Sequence, residues 1–146
     1  MTLPEQITQF NRMFKSYDDI YRQAAHRFRL PELSLWILYV LREIPDCTQK
    51  DLTDILLYSK QSVQSALRRL QDEELVVLRT DPADRRSKRI QITQKGEKIS
   101  RDTADRIVQA EKTAFGQLSS DEREQLLCLF EKLSSAVRTE MEKLQR

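Results

Sequence analysis

The chain has 146 residues, of which 33% are charged and only 7% aromatic, and it contains two glycines and four prolines. That length fits one domain with a buried core, and that composition favours helices over a β-sandwich, which needs more turn and β-branched residues. The formal net charge of +2 excludes no class of partner. The lack of any apolar run of about 18 residues argues against a membrane-spanning protein, and the lack of a charged segment before a short apolar one argues against a secreted protein.

The first 45 residues predict two helices. Apolar side chains recur every three or four positions from Ile7 to Phe28, which is typical of a long amphipathic helix that ends near Pro31. Residues 33–44 are apolar on nearly every side, so we expect a buried central helix there. Ser34 is predicted to begin this helix, and the proline that follows it to close it.

Residues 48–72 predict a helix-turn-helix unit. Thr48, with Asp51 three residues later, is typical of an N-cap that opens a short helix, and Ser59 can cap a second helix that continues to about Asp72. The predicted inward residues are Leu52, Ile55 and Leu56 in the first helix, and Val63, Ala66, Leu67 and Leu70 in the second. At about 100° per residue, the opposite face of the second helix carries Gln61, Gln64, Ser65 and Arg68. Two short helices joined by a tight turn match a helix-turn-helix unit.

Residues 75–93 predict a β-hairpin. Residues 75–80 are rich in β-formers, and residues 89–93 alternate Arg and Gln, facing outward, with Ile90 and Ile92 facing inward. Asp81-Pro82 favours a turn at the start of the connection. The tip would carry Asp84, Arg85, Arg86, Ser87 and Lys88. Because residues 60–95 hold nine Lys or Arg against five Asp or Glu in an otherwise slightly acidic chain, the charge pattern predicts a polyanionic partner.

Two more helices complete the predicted elements. Thr93 should cap a helix that runs to about Phe115 and ends at Gly116, and Ser119 with Glu122 has the spacing of a capping box for the last helix. The predicted inner residues of the first helix are Ile99, Ile107, Val108 and Ala114. In the last helix, apolar residues keep a spacing of three or four positions, namely Leu126, Phe130, Leu133, Val137, Met141 and Leu144. One small core cannot cover the apolar faces of both terminal helices, so we expect a dimer; a closed intramolecular helix pair is the alternative.

A helix-turn-helix followed by a basic hairpin is the arrangement of a winged helix, which predicts binding to double-stranded DNA. The second helix would enter the major groove, where Gln pairs with adenine and Arg with guanine. Arg86, with Lys88 nearby, would occupy the minor groove, and Asp84 would hold the wing arginines extended. Three further cations would contact phosphates, namely Lys60, Arg69 and Arg89. The predicted DNA-binding residues are Ser59, Lys60, Gln61, Gln64, Ser65, Arg68, Arg69, Asp84, Arg85, Arg86, Lys88 and Arg89.

Residues 33–96 resemble the MarR family of bacterial transcriptional regulators, and the likeness of the flanking helices extends this resemblance over nearly the whole chain. Its most specific part is the wing motif, Asp84-Arg85-Arg86 followed by Arg89-Ile90-Gln91-Ile92-Thr93 and Gly96. The resemblance implies a winged-helix homodimer with intertwined first and last helices that represses transcription from a palindromic operator. It also implies release by a small phenolic or other effector, bound between the dimer and DNA-binding regions. By motif position, Asp84 and Arg86 match the wing's ion pair and minor-groove arginine.

The fold class that we expect is mainly α with a small β-hairpin, arranged as one MarR-type domain over residues 1–146. Residues 33–95 would be the winged helix-turn-helix core, residues 94–115 a linking helix, and residues 1–30 and 116–146 the dimerisation helices. One departure is Glu74, which stands where the family usually has glycine. Glu74 would either take a left-handed cap conformation, at a cost of about 1 kcal/mol relative to glycine, or extend the helix by one residue.

Four residues are candidates for the effector crevice: Tyr21, His26, Trp36 and Tyr39. Aromatic residues at helical spacing usually belong to a core, so core packing is the alternative for Tyr21, Trp36 and Tyr39. For His26, a position on the helix surface or in an interface is the alternative.

Enzymatic functions fit the sequence poorly. A single His argues against the usual His-rich metal sites, and two isolated cysteines argue against a zinc finger. Two glycines leave no P-loop, GxGxxG or GxSxG motif, so we expect neither catalysis nor a cofactor. The competing class is a helical protein-interaction module without DNA-binding activity, which would leave the basic hairpin without a role.

The two cysteines indicate a reduced, cytoplasmic protein, because they are far apart and form no CxxC motif. Cys47 precedes a predicted helix N-terminus, whose dipole would lower the thiol pKa and permit a redox role; an ordinary thiol is the simpler interpretation. Cys128 is predicted to be packed within an apolar helix.

Overall fold

The computed structural model describes residues 1–144 of the chain. Within them, seven helices and one antiparallel two-stranded sheet follow in the order α1 (Leu3–Arg27), α2 (Glu32–Glu43), α3 (Gln49–Leu56), α4 (Lys60–Asp72), β1 (Val76–Thr80), β2 (Lys88–Ile92), α5 (Gln94–Asp102), α6 (Ala104–Phe115) and α7 (Ser120–Lys143). The predicted class, mainly α with a small hairpin, is confirmed. None of these helices is both long and apolar enough to cross a membrane.

The structure forms two compact units, Met1–Ile107 and Val108–Arg146, whose boundary falls inside α6. The expected partition into core, linking helix and dimerisation helices remains a prediction. The last two residues of the predicted C-terminal dimerisation helix, 145–146, lie outside the described part of the chain.

Helices α1 and α2 form where the sequence predicts, and one detail of α2 is corrected. Thr2 and Glu5 make a capping box for α1, which ends before the expected proline. Three side chains of α2 are fully buried in the core of the first unit, namely Leu35, Ile37 and Leu38. Ser34 does not begin α2, because Pro31 already occupies the N-cap position and Ser34 lies buried in the first turn. A proline suits a helix start since it lacks the amide hydrogen that would remain unpaired there.

The helix-turn-helix prediction is confirmed in α3 and α4, together with both caps. The Asp51 amide donates to Thr48 Oγ1 at 3.1 Å, and the Thr48 amide donates to the Asp51 carboxylate at 2.8 Å. At the start of α4, the Ser62 amide donates to Ser59 Oγ at 3.1 Å. The inner face of α4 consists of Val63, Leu67 and Leu70, with Ala66 half-buried.

The inner face of α3 is narrower than predicted. Leu52 is fully buried and Leu56 half-buried, but Ile55 is 46% exposed. Residues 52 and 56 lie about 40° apart on a helix, whereas residue 55 lies about 60° away from residue 52 on the other side. Helix α3 has only eight residues, and the core covers Leu52 and Leu56 while Ile55 lies at the edge of the buried face.

The junction between α4 and β1 depends on Glu74. This residue has a φ of +60°, so the left-handed alternative is the one observed. The Leu75 amide donates to the Leu70 carbonyl at 2.8 Å, which is the bond of a Schellman-type helix end. A residue with a Cβ is strained at this φ, whereas glycine is not.

The β-hairpin forms as predicted, and its stem is attached to the segment that precedes α3. Val76 and Ile90 are buried and fix the stem to the core. The Ile90 amide donates to the Cys47 carbonyl at 2.9 Å, and an isolated β-bridge joins Thr48 to Arg89. The residues before α3 therefore act as a short third strand beside β2.

Gly96 permits the close approach of α5 to this stem. A Cβ at this position would lie 2.0 Å from the Leu75 carbonyl oxygen and 2.7 Å from Ile92 Cγ2. Thr93 caps α5 as predicted, because its Oγ1 accepts a hydrogen bond from the Gly96 amide at 3.0 Å. A side chain at residue 96 would therefore push α5 away from the stem.

The prediction of one continuous helix over residues 94–115 is wrong. The helix breaks at Thr103, whose φ of −129° and ψ of −87° are not helical. The Thr103 hydroxyl donates to the Ile99 carbonyl at 2.6 Å, a local bond by which threonine competes with the helix backbone. Ala114, which was predicted to face inward, is exposed, while Ile107 is buried.

Arg42 of α2 ties both helices at this break to the core. Its guanidinium donates to the two Asp105 carboxylate oxygens at 2.8 and 2.7 Å, and also to Glu97. The hydrogen bonds that Arg42 donates to Asp105, and then the one to Glu97, raise the pKa of Arg42 above its already high ordinary value. Arg42 thus remains charged and holds the start of α6 and the first turn of α5 against α2.

Helices α1 and α7 each carry an exposed apolar stripe. On α1 the exposed apolar residues include Ile7, Phe10, Phe14, Tyr17 and Ile20; on α7 they include Leu126, Phe130, Leu133, Val137 and Met141. The capping box of Ser119 and Glu122 is confirmed at the start of α7. Cys128 was predicted to be packed but is exposed. The other described residues of α7 are likewise not buried in the single chain.

Replacement of the strained cap residue should stabilise the protein. We expect Glu74→Gly to raise the free energy of unfolding by about 0.5–1 kcal/mol, because glycine takes a positive φ without a Cβ clash. Urea denaturation at one fixed protein concentration measures this. Glu73→Gly is the control: Glu73 has a φ of −81°, so glycine there should not stabilise. Equal effects of the two changes would contradict the assigned strain.

Candidate nucleic-acid interface

An open groove of about 770 Å³ lies between the hairpin and the helix-turn-helix unit. It is lined from α3 and its cap by Thr48, Gln49, Lys50 and Thr53, from α4 by Lys60, Gln64, Leu67, Arg68 and Gln71, and from the hairpin by Leu78, Asp84, Arg86, Ser87 and Lys88. Because the lining comes from three elements, only the folded chain creates this surface.

The groove is strongly basic. Its lining contains five cations and one carboxylate; the cations are Lys50, Lys60, Arg68, Arg86 and Lys88, and the carboxylate is Asp84. Lys50 also donates to Asp54 at 2.6 Å, and this bond raises the pKa of Lys50. Cations gathered in a concave surface add their potentials, so the groove attracts a polyanion more strongly than the same charges spread over the protein.

Half of the twelve predicted DNA-binding residues line this groove. They are Lys60, Gln64, Arg68, Asp84, Arg86 and Lys88, whereas Ser59, Gln61, Ser65, Arg69, Arg85 and Arg89 are not part of the lining. Gln61, Ser65 and Arg85 are nevertheless exposed on α4 or on the hairpin connection. For these three residues, a contact with DNA stays a prediction.

Two residues outside the lining have their side chains engaged within α4. Ser59 Oγ accepts from the Ser62 amide and donates to Ser62 Oγ at 2.8 Å, so its hydroxyl serves the helix cap. Arg69 Nε donates to Glu73 at 3.2 Å. A phosphate contact by Arg69 would have to compete with this exposed ion pair, which is a weak competitor.

The ion pair of the wing differs from the predicted one. Within residues 1–144, Asp81 is the wing carboxylate that pairs with an arginine, and its partner is Arg89, whose Nη2 lies 3.1 Å away. Asp84 instead accepts a hydrogen bond from the Arg86 backbone amide at 2.9 Å. The Ala83 amide and then the Arg89 guanidinium lower the pKa of Asp81. Arg89 therefore joins the end of the first strand to the second at the wing stem, and its contact with a phosphate stays a prediction.

Helix α3 contributes residues to the groove that were not predicted from the sequence. Gln49, Lys50 and Thr53 line it, although they were not predicted to bind DNA. At about 100° per residue, Lys50 lies about 160° and Thr53 about 100° from Leu52, so a helical projection of α3 would have identified these two residues. Gln49 lies only about 60° from Leu52, and the projection does not separate it from the inner face. Ser87 and Gln71 were missed as well, and no pattern in the sequence distinguishes them from ordinary surface residues.

Three of the four effector candidates lie together. The Tyr21 and Trp36 ring centroids are 5.1 Å apart, and those of Trp36 and Tyr39 are 5.3 Å apart. The cluster continues to Tyr17, whose hydroxyl lies 2.9 Å from that of Tyr21. All three predicted aromatic residues are half-buried, and Tyr21 and Tyr39 pack against the core, as their alternative interpretation requires. His26 is exposed and borders a separate open depression on α1.

Comparison with known proteins supports the resemblance to the MarR family. The model of the MarR family matches residues 30–87, which include the helix-turn-helix unit, β1 and the connection of the wing. The chain is similar to the MarR family over these residues. It is 28% identical over 131 residues to the transcriptional regulator HosA of Escherichia coli O111:H-, with 86% of this chain and 97% of HosA covered. It is 25% identical over 122 residues to the HTH-type transcriptional repressor NicR of Pseudomonas putida, with 84% and 77% covered.

Solved structures share the fold of this chain. Bordetella bronchiseptica BpsR, whose DNA binding is regulated by 6-hydroxynicotinic acid, superimposes with a TM-score of 0.69 at 24% identity over 92% of this chain and 96% of BpsR. S. aureus MepR, solved in complex with DNA, superimposes with a TM-score of 0.71 at 24% identity over 90% of this chain and 97% of MepR. These comparisons confirm the predicted winged helix-turn-helix fold.

Cys47 is not placed for redox chemistry. Its side chain is 2% exposed, and burial raises the pKa of the thiol to about 11, with the nearby Asp51 carboxylate as the next cause. This agrees with the simpler interpretation of Cys47 as an ordinary thiol, because desolvation of the thiolate outweighs any lowering of the pKa by the helix dipole. Within residues 1–144, no group of three or more His, Cys, Asp or Glu side chains is placed to hold a metal ion.

The burial of Cys47 predicts slow alkylation. A rise of the pKa from 9.0 to about 11 leaves about 100-fold less thiolate at pH 8, so iodoacetamide should label Cys47 at least that much more slowly in the native protein than in urea. Peptide mass spectrometry after timed quenching measures the labelling of Cys47 separately from that of Cys128. Equal rates with and without urea would contradict the assigned burial.

Proposed function

We propose that this chain is a transcriptional regulator that binds a palindromic operator in double-stranded DNA as a homodimer and acts as a repressor. The observation that carries the proposal is the basic groove, in which five cations and a single carboxylate lie beside the exposed amides of α4. The similarity to the repressor NicR and the shared fold with DNA-bound MepR support the same assignment.

In the proposed complex, α4 lies in the major groove of DNA and the wing reaches the adjacent minor groove. Gln64 and Arg68 are one helical turn apart on the exposed side of α4, where an amide reads adenine and a guanidinium reads guanine. Arg86 and Lys88 on the wing meet the concentrated negative potential of a narrow minor groove. Lys50 and Lys60 contact phosphates, which add affinity without sequence preference.

A homodimer accounts for the apolar stripes on α1 and α7. Exposed apolar surface of this extent is unusual for a soluble monomer, and a second copy of the same chain is the partner that covers it symmetrically. A two-fold dimer places its two α4 helices about 34–36 Å apart, one turn of DNA, so the operator should be palindromic. The predicted division into dimerisation helices, linking helix and winged core belongs to this proposal.

The proposed repressor is released by a small phenolic or other aromatic effector. The half-buried cluster of Tyr21, Trp36 and Tyr39 offers stacking surfaces for an aromatic ring. An effector releases DNA only if it binds the form with the wrong α4 spacing more tightly than the DNA-bound form. His26 lies exposed on the same helix as Tyr21 but outside this cluster. It would contact the effector only if the effector reached both residues.

A regulator of this kind needs no catalytic residue and no cofactor, and it works in the cytoplasm, where bacterial DNA lies. The competing function, a helical protein-interaction module, would use the apolar stripes and leave the basic groove unoccupied. Salt dependence separates the two, because counterion release makes DNA binding weaken steeply with salt, whereas apolar helix contacts do not. Selection of bound fragments from random duplex DNA would supply the operator for the tests below.

Loss of the wing arginine should weaken binding to the selected duplex. We expect Arg86→Ala to reduce the affinity for DNA by about 1–3 kcal/mol. The slope of log affinity against log salt concentration should also become shallower by about 1 for each protomer, because one ionic contact is removed. Gel shifts at several salt concentrations measure both quantities. Arg101→Ala is the matched control, because Arg101 is an exposed cation on α5 outside the groove. Unchanged affinity of Arg86→Ala at moderate salt would exclude the wing from the interface.

Loss of an amide on α4 should change base preference more than affinity for DNA in general. We expect Gln64→Ala to reduce the penalty for a mismatch at its base pair by about 1–3 kcal/mol, with little effect on non-specific duplex. Competition binding with single-base variants of the operator measures the penalty. Gln71→Ala is the control, since recognition helices contact bases mainly through their N-terminal residues and Gln71 lies near the end of α4. An unaltered mismatch profile for Gln64→Ala would remove this residue from base recognition.

A further inference from the structure

Asp46 occupies an unfavourable backbone conformation in the loop between α2 and α3. Its φ is +61°, in the left-handed region where residues with a Cβ are strained and glycine is the usual choice. Aspartate tolerates this region better than most residues but still less well than glycine. Backbone strain of this kind persists where the surrounding structure compensates for it, so the contacts of the Asp46 side chain matter.

Both polar groups of Asp46 bind the second strand of the wing. Asp46 Oδ1 accepts a hydrogen bond from Gln91 Nε2 at 2.7 Å, and the Asp46 carbonyl accepts one from Arg89 Nη1 at 2.9 Å. Gln91 and Arg89 lie on β2 and are more than 40 residues away in the chain. Asp46 alone therefore binds Arg89 and Gln91, which lie two residues apart on the same face of β2.

The bonds continue from Asp46 through the whole stem. Gln91 Oε1 accepts from Arg79 Nε on β1 at 2.7 Å, so the Gln91 amide joins both strands to the loop. Arg89 also pairs with Asp81, which lies at the end of β1 where the connection to the tip begins. The side chain of Asp46 is therefore the fixed end of a polar network that reaches both strands.

The same loop also begins the first helix of the helix-turn-helix unit. Cys47 and Thr48 follow Asp46; the Cys47 carbonyl accepts from the Ile90 amide, and Thr48 caps α3. The buried residues of the stem, Val76 and Ile90, hold it to the core by contacts that have no directional preference. Hydrogen bonds do have a preferred direction, so residues 46–48 set the angle between wing and helices.

We propose that Asp46 is a positioning residue for the wing. Through Gln91 and Arg89 it sets the angle at which Arg86 and Lys88 face α4, and it thereby strengthens DNA binding although it is not part of the groove lining. The proposal rests on the proposed function, since it explains how the wing reaches the DNA.

Three substitutions test the network, and each is chosen to leave the fold intact. Asp46→Gly removes the carboxylate and relieves the left-handed strain, so the protein should remain folded with an unchanged or higher urea midpoint. Asp46→Asn keeps an oxygen that accepts from Gln91 and is also tolerated at positive φ. Gln91→Met removes the same hydrogen bond from the other side, together with the bond from Arg79, while preserving side-chain length.

Affinity for the selected duplex is measured for each variant in two backgrounds, the natural wing and the double variant Arg86→Ala/Lys88→Ala. With the natural wing, we expect Asp46→Gly and Gln91→Met to weaken binding about 3- to 10-fold, as the loss of one hydrogen bond would, and Asp46→Asn to remain within about 2-fold. Without the two tip cations, Asp46→Gly should change affinity less than about 2-fold, because the contact that it positions is already gone. Such a cycle separates positioning from a general loss of structure.

A second measurement reports on the network without DNA. Hydrogen exchange of the Ile90 amide, which donates to the Cys47 carbonyl, should be about 3- to 10-fold faster in Asp46→Gly and Gln91→Met, with exchange of core amides in α2 unchanged. Asp46→Asn should exchange at nearly the natural rate.

Each outcome is decisive for one of the two proposals. Equal losses of affinity in both backgrounds, or no loss in either, would overturn the positioning role of Asp46, and so would unchanged exchange at Ile90. If the natural protein binds no duplex in a salt-dependent manner, the proposed function fails; faster exchange at Ile90 would then still support the network, and unchanged exchange would refute it.

Discussion

The attachment of the hairpin to the segment before α3 is the interaction on which the candidate interface depends. Ile90 is fully buried, and its amide donates to the Cys47 carbonyl, which belongs to the loop that opens the helix-turn-helix unit. A two-stranded hairpin is barely stable by itself, so this third strand and the core beneath it are what give the wing a defined direction. Without that attachment, Arg86 and Lys88 would not face α4 across a common groove.

Several junctions around this groove are made by strained residues, because the chain has only two glycines. Asp46, Leu57 and Glu74 all have a positive φ, and they stand before α3, between α3 and α4, and after α4. The helix-turn-helix unit is therefore bounded on every side by left-handed residues. The stability lost at these turns is offset by the burial of Leu52, Val63, Leu67 and Leu70, which hold both helices on the core.

Local rules predicted the elements well and their connections less well. Caps at Thr48, Ser59, Thr93 and Ser119 were all located from sequence, because capping is a contact between residues three positions apart. The break at Thr103 was missed, since a threonine within a helical pattern breaks the helix only when its surroundings favour the alternative bond. The wing ion pair was assigned to Asp84 rather than Asp81 because the choice depends on which carboxylate the folded stem brings to Arg89.

Apart from the break at Thr103, the order of helices and strands was determined by the sequence alone, as were the polar face of α4 and the cationic tip of the wing. Each of these features follows from side-chain periodicity or from residue types within one segment. The tertiary structure decided which of these residues share a groove: it added Gln49, Lys50 and Thr53 from α3, turned Arg89 to the stem, and brought Asp46 to Gln91. The physical reason is that such contacts join residues far apart in the chain, and their geometry is set by packing on α2 rather than by any local preference.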